Sequence, residues 1–137
     1  MNNIMDAMGV SASGMKAQGD RIRAISQNVA NADTAANTPN AEPYQRKTVV
    51  FKNVLDRATG VNKVVVDRVN QAEGEFNLKF QPSHPGADEN GYIRTPKINT
   101  LIESMDMREA QRSYEANLGM VTISKGMLGK TIDLLSN

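Results

Sequence analysis

From Thr100 to Leu135 the sequence contains no proline, so a single helix can run through the whole stretch, about 54 Å at 1.5 Å per residue. Thr95-Pro96 lies just ahead of it, and Thr100 with Glu103 three positions later has the form of a capping box. In such a box the hydroxyl takes one orphan amide and the carboxylate reaches back to another. One apolar stripe runs Met107, Ala110, Tyr114, Leu118, Val121, Leu128, Ile132, Leu135, at spacings that keep one helical face. A second runs Ile102, Met105, Met120, Ile123, Met127, Leu134, roughly 100–160° round the helix at about 100° per residue. Gly119 and Gly126 add a side without bulk. A surface helix of a small monomer needs one buried face. Two such faces ask for more neighbours than one short chain supplies.

The other end of the chain carries a companion signal. Met5, Met8, Ala12, Met15, Gly19, Ile22, Ser26 and Val29 alternate steps of three and four, a heptad seam of the kind that packs as a coiled coil. Ile4, Ser11, Gln18 and Ile25 form a flanking row beside it. The seam is built of small and flexible residues, and Gly9, Gly14 and Gly19 each cost about 1 kcal/mol relative to alanine in a helix interior. Alone, residues 3–30 are weakly helical. Asn28-Val-Ala-Asn-Ala-Asp-Thr34 ends the segment with residues that favour turns.

Between the ends the composition changes. The eight methionines all lie in the two terminal segments, and the five prolines, Pro39, Pro43, Pro82, Pro85 and Pro96, all lie between them. Residues 35–42 read as loop. Lys47–Phe51 and Val61–Val69 are β-branched and strand-like. Phe76–Phe80 alternates apolar and polar, as a half-buried strand does. Pro82–Gly91 is turn-rich, and Glu89-Asn90-Gly91 marks a tight turn before Tyr92 and Ile93. The fold class expected is mainly α: long N- and C-terminal helices pairing as a coiled coil, with a small β-hairpin and irregular middle. The segments fall at 1–34, 35–96 and 97–137.

Composition narrows the function classes. A hydrophobic share of 39% with three Tyr, three Phe and no Trp leaves little material for a large self-contained core. The net charge of +1 argues against binding driven by nucleic-acid phosphates. With no cysteine, disulfides and thiolate metal sites are unavailable. No apolar run approaches a membrane span. Met1–Val10 lacks the basic and apolar regions of a cleaved secretory signal, so export without one is expected.

Catalytic and metal-binding readings are weak. His84, the only histidine, stands between Ser83 and Pro85 with no glycine-flanked serine nucleophile in the sequence, and reads as a loop residue. Asp88-Glu89-Asn90-Gly91 superficially suggests a calcium loop, but its glycine arrives at the fourth position where an EF-hand places it at the sixth. No phosphate-cradling glycine loop occurs. No catalytic, metal or cofactor residues are expected.

Ser11-Ala-Ser-Gly-Met-Lys-Ala-Gln18 with Asn28-Val-Ala-Asn-Ala-Asp-Thr34 resembles the N-terminal signature of bacterial flagellar rod and hook proteins, and Ser113-Tyr-Glu-Ala-Asn117 resembles their matching C-terminal segment. Within that group, Pro43-Tyr-Gln-Arg-Lys-Thr-Val-Val-Phe51, His84-Pro-Gly-Ala-Asp88, Gly91-Tyr92, Pro96-Lys-Ile-Asn99 and Met105-Asp-Met107 resemble the C-type proximal rod proteins. The motif positions are Asn28, Asn31, Asp33, Thr34, Tyr114, Glu115 and Asn117. Gly19, Asp20, Lys97 and the 35–42 loop depart from the family pattern. The resemblance implies a non-enzymatic subunit of the proximal rod, exported through the flagellar type III apparatus to the periplasmic part of the basal body. There its terminal helices pack around a central channel. It also implies, as partners, other proximal and distal rod proteins, a rod-base adaptor, the export apparatus and copies of itself, with no nucleic acid and no small-molecule substrate.

These readings combine into a structural protein that folds as it assembles. Met5, Met8, Met15, Ile22 and Val29 are expected to meet Leu118, Val121, Leu128, Ile132 and Leu135 within the subunit. Met120, Ile123, Met127 and Leu134 are expected to contact a neighbouring subunit. The alternative is a small helical adaptor that binds one partner helix.

Overall fold

A computed structural model describes residues 2–39, 41–74 and 76–136, Asn2 through its backbone alone. Met1, Asn40, Glu75 and Asn137 lie outside the described residues, and with them the outermost positions of the expected segments 1–34 and 97–137 and one position of the 35–42 loop. Helix α1 spans Asn2–Ala30 and α2 spans Thr100–Ser136; between them come β1 (Lys47–Asp56), β2 (Val61–Gln71), β3 (Phe76–Phe80) and β4 (Tyr92–Pro96). β1 neighbours β2 in one two-stranded sheet, and β3 neighbours β4 in another. The fold is mainly α, with a small hairpin region between two long helices.

Two expectations about local structure need correction. The start of α2 is capped by Asn99, whose Oδ1 accepts from the amides of Leu101 at 3.0 Å and Ile102 at 3.3 Å. Thr100 is the first helical residue, and Glu103 does not close a capping box. Its side chain turns inward and is fully buried. A short asparagine just outside the helix offers its oxygen to the free amides without stretching, and this releases the glutamate for other partners.

The second correction concerns β3. Its alternation is real, but the apolar side faces out. Antiparallel register sets Phe80 opposite Tyr92, Leu78 opposite Arg94 and Phe76 opposite Pro96, with Lys79 opposite Ile93 and Asn77 opposite Thr95. Directly opposed residues share a face. Ile93 and Thr95 are buried, whereas Leu78 and Phe80 are 68% and 64% exposed. The partner strand decides which face turns inward, and a single strand's periodicity carries no sign.

The chain divides into two units of internal contacts. The first comprises Met1–Ile22, Val49–Arg68 and Arg108–Asn137. Within it α1 and α2 approach closely at Gly14, where an added Cβ would stand 2.9 Å from Asn117 Nδ2. Arg21 meets Glu109 at 3.4 Å, so position rises on one helix as it falls on the other. β2 meets α1 through Ser13, whose Oγ accepts from the Val64 amide at 3.3 Å. On the hairpin itself, Lys52 pairs with Asp67 at 2.7 Å and Lys63 with Asp56 at 2.5 Å. The turn closes with the Gly60 amide donating to the Asp56 carbonyl at 2.7 Å.

The second unit comprises Arg23–Thr48 and Val69–Met107. It holds β3, β4, the end of α1 and the start of α2. Gly86 is required there, because a Cβ would overlap the Ala36 carbonyl oxygen.

Across the described residues the buried apolar side chains are mostly small: Ala17, Ala24, Ala32 and Ala110, with Ile25 and Ile93. On α1 burial therefore centres on Ser11, Ala17, Ala24, Ile25 and Asn28, a row beside the methionine seam. Small side chains let helix backbones approach closely, but they remove little apolar area from water.

Candidate functional site

The end of α1, the start of β1 and the start of α2 converge on Asn28. Its side chain is fully buried, and all four of its hydrogen-bonding positions are used. Nδ2 donates to the Lys47 carbonyl at 2.8 Å and to Glu103 Oε2 at 3.0 Å. Oδ1 accepts from the Lys47 amide at 2.8 Å and from the Tyr44 hydroxyl at 2.9 Å. The amide thus grips both backbone groups of Lys47 as a neighbouring strand would, and it fixes where β1 begins against the helix.

Glu103 completes the junction. Its second oxygen accepts from Arg46 Nε at 2.5 Å, and Arg46 Nη2 also lies 3.8 Å from Asp106 Oδ2. The Glu103 side chain is 1% exposed and that of Arg46 31%, so a buried carboxylate is balanced by a partly wetted guanidinium. The Tyr44 phenol is held above its ordinary pKa, first by burial and then by the nearby Glu103 carboxylate. Lys47 Nζ donates to Gln27 Oε1 at 3.0 Å and lies 5.7 Å from the centre of the Tyr44 ring. The Arg46 carbonyl accepts from the Ala72 amide at 2.9 Å, which ties the same segment to the chain beyond β2. Every polar atom named here has a partner, the condition under which a buried polar network gives a defined arrangement.

Of the motif positions, Asn28 is the junction's centre. Asn31 Nδ2 donates to the Gln27 carbonyl at 2.8 Å, and the Thr34 amide donates to the Asn31 carbonyl at 3.1 Å, so both finish α1. Asp33 is exposed. Tyr114 and Asn117 are half-buried on α2, Asn117 opposite Gly14, while Glu115 is exposed. Arg46 and Glu103 were missed as functional positions. Signals for both lie in the sequence: Arg46 is in the Pro43–Phe51 stretch, and Glu103 stands at capping-box spacing from Thr100.

The expected contact stripes occupy a different environment. Met8, Met15, Ile22, Val121 and Leu128 are half-buried. Met5, Val29, Leu118, Ile132 and Leu135 are exposed, as are Met120, Ile123, Met127 and Leu134. Leu134 reaches 81% exposure and Ile123 59%, far beyond what scattered surface residues require.

The loop residues weighed for catalysis and for metal binding serve their own loop. His84 Nδ1 accepts from the Gly86 amide at 3.0 Å. Asp88 Oδ1 accepts from the amides of Asn90 and Tyr92 at 3.0 and 2.8 Å. Among the described residues no group of three or more His, Cys, Asp or Glu side chains could hold a metal ion, and no helix is long and apolar enough to cross a membrane.

The chain thus combines a buried polar junction with long exposed apolar faces, and comparison with known proteins gives its family. A family described as flagellar basal body rod FlgEFG protein C-terminal matches residues 89–134. The chain is 42% identical to the flagellar basal-body rod protein FlgC of Agrobacterium fabrum, over 98% of this chain and 97% of that protein. It is 36% identical to FlgC of Aquifex aeolicus, over 97% of this chain and 98% of the relative. With FlgC of Bacillus subtilis it shares 34% identity, over 93% and 95%. At these identities over nearly full length, the chain belongs to the FlgC family of flagellar basal-body rod proteins.

Proposed function

We propose that this chain is a structural subunit of the flagellar rod that completes its apolar core only on assembly with other rod proteins. One observation carries the reading: the buried apolar residues are mostly alanines, while Met120, Ile123, Met127 and Leu134 lie exposed along α2. Apolar area removed from water is worth about 25 cal/mol per Å², and an isolated chain forgoes it along that whole side. In the rod, the two helices pair as a coiled coil with Met5, Met8, Met15, Ile22 and Val29 toward Leu118, Val121, Leu128, Ile132 and Leu135. Met120, Ile123, Met127 and Leu134 then face the next subunit. The segments 1–34 and 97–137 form the rod-core helices, and 35–96 is the β-rich and loop segment between them.

Long helix contacts stiffen the assembly, so torque passes along it, and the terminal helices line the channel through which later subunits travel. The subunit reaches the periplasmic rod through the flagellar export apparatus, and it joins the rod-base adaptor below and distal rod proteins above. The relatives are named as rod proteins, in keeping with a non-enzymatic role.

The test is substitution in the exposed stripe. Ile123→Glu or Met127→Glu is expected to leave export intact and abolish incorporation into basal bodies, read by immunoblot of the culture medium and of isolated basal bodies. Normal incorporation of both variants would remove the stripe from the assembly surface.

A further inference from the structure

The turn that leads into β4 contains a peptide step that is chemically fragile in a free chain. Asn90 is followed by Gly91, so no side chain shields the second amide nitrogen from the carboxamide before it. In such a step the glycine nitrogen attacks Cγ of the asparagine, among the thermolabile residues. The N–Cγ bond forms, the Cγ–Nδ2 bond breaks, and ammonia leaves with the proton of the glycine nitrogen. One water then opens the cyclic imide. Opening at Cγ gives aspartate, and opening at the backbone carbonyl gives isoaspartate, with an extra carbon in the main chain. A larger residue at Gly91 is no remedy. Its φ is +81°, a conformation that side chains disfavour, and a Cβ there would stand 2.9 Å from Phe80 Cε2 and 3.0 Å from Pro82 Cβ.

The fold holds the attacking atom of this step and leaves the target open. Asn90 is exposed. The Gly91 amide donates to the Asp88 carbonyl at 3.0 Å, which commits both its hydrogen and its direction. Asp88 Oδ1 accepts from the amides that flank the step, Asn90 at 3.0 Å and Tyr92 at 2.8 Å. The Asp88 amide donates to the Tyr92 carbonyl at 2.9 Å, and the Gln81 amide donates to the Gly91 carbonyl at 2.8 Å. To reach Asn90 Cγ, the Gly91 nitrogen must lose its proton and turn away from Asp88, which opens this set of bonds.

We infer that Asn90–Gly91 is a site of spontaneous deamidation that folding closes, and that the Asp88 side chain is the clasp that keeps it closed. A chain that lingers unfolded is converted at Asn90, whereas a folded chain is preserved. The isoaspartyl product lengthens the main chain within a turn where Gly91 is already seated against Phe80 and Pro82. A chain converted in that way therefore loses the bonds that join Asp88 to Gly91 and Tyr92. Asp88 is a positioning residue in this account: it acts through the backbone amides it holds, so its acceptor oxygen matters more than its charge.

The test is to age the full-length chain at neutral pH, in native buffer and in urea, and to quantify aspartate and isoaspartate at position 90 by peptide mass mapping. Hydrogen exchange of the Gly91 and Tyr92 amides reports whether the turn is formed. Wild-type conversion in native buffer is expected to be slower than in urea by about tenfold or more, because the turn must open first. Asp88→Ala removes an acceptor shared by two amides and is expected to speed native conversion about tenfold. Asp88→Asn keeps an acceptor oxygen at the same place and is expected to restore most of the protection. Circular dichroism matching wild type shows that each variant folds, and the wild-type comparison of native buffer with urea stands without either variant. The inference is overturned if the wild-type chain converts equally fast in both solvents, or if Asn90 survives in native buffer while the Gly91 and Tyr92 amides exchange freely. It is equally overturned if a folded Asp88→Ala ages as wild type does, or if Asp88→Asn ages as fast as Asp88→Ala.

Discussion

The Asn28 junction and the outer side of α2 treat the chain's residues in opposite ways. At the junction Asn28 and Glu103, both polar, are fully buried and fully partnered. Along α2 from Met120 to Leu135, large apolar side chains stand in water. The usual arrangement is the reverse. The difference follows from what each kind of interaction does well. Hydrogen bonds are directional, so a closed polar network fixes how α1, β1 and α2 meet within one chain. Apolar attraction is non-directional and scales with area, so it suits surfaces that must find a neighbour. This chain sets its internal geometry with polar groups and leaves much of its apolar area exposed.

Removing the junction's carboxylate is the largest expected blow to that division. Glu103→Ala takes from Asn28 Nδ2 one of its two acceptors and from Arg46 its nearest partner. A buried donor left without its acceptor costs about 1–3 kcal/mol. The variant is expected to be degraded in cells and cut rapidly by protease in vitro, whereas Ile123→Glu, on the open side, resists protease as wild type does. Equal sensitivity of the two variants would erase the distinction between the regions.

Tyr44 sharpens the comparison with a smaller effect. Tyr44→Phe removes one donor to Asn28 Oδ1, which keeps the Lys47 amide, so the loss is about 0.5–1.5 kcal/mol. The phenol also gives the junction a pH signature. Its pKa in the folded chain is raised, so the protonated form is the one the fold favours. Its contribution is present in full below the ordinary tyrosine value of about 10 and is lost as pH rises through the higher folded value. Alkaline unfolding should coincide with tyrosinate absorbance in wild type and lose that component in Tyr44→Phe. An unchanged alkaline profile would show that the hydroxyl is not held by the junction.

The long elements were legible because proline placement and helical periodicity are local properties. The sequence placed α1 at 3–30 and α2 at 100–135, and the helices span Asn2–Ala30 and Thr100–Ser136. The β1–β2 strands were foreshadowed by β-branched runs, and β3 and β4 by the alternation of Phe76–Phe80 and the Glu89-Asn90-Gly91 turn. What could not be read was which partner each residue would choose. Glu103 fits a capping box by spacing alone, and only the tertiary fold shows Asn99 filling that role while Arg46, fifty-seven positions away, claims the carboxylate. Asn28 stood in a recognisable motif, but its grip on the Lys47 backbone depends on chain far along the sequence. The outward turn of Leu78 and Phe80 likewise depends on β4, because a strand's alternation leaves the sign of its faces open until a partner fixes the register.

The smallest expected effect lies on the β1–β2 hairpin, which resembles neither region: its ion pairs are solvent-facing, so they locate strands without supplying much stability. Lys52 holds the Asp67 carboxylate below its ordinary pKa, first by a hydrogen bond and then by charge, and Lys63 does the same for Asp56 with help from the Ala58 amide. A depressed carboxylate contributes above its unfolded value of about 3.9 and loses that contribution as pH falls through the lower folded value. Lys52→Met should therefore exchange its hairpin amides slightly faster than wild type at neutral pH. The gap should close as the solution is acidified below that range, and it should narrow in high salt. A gap that persists in acid would mean Lys52 acts through its aliphatic packing, and the hairpin would then join the apolar side of the comparison.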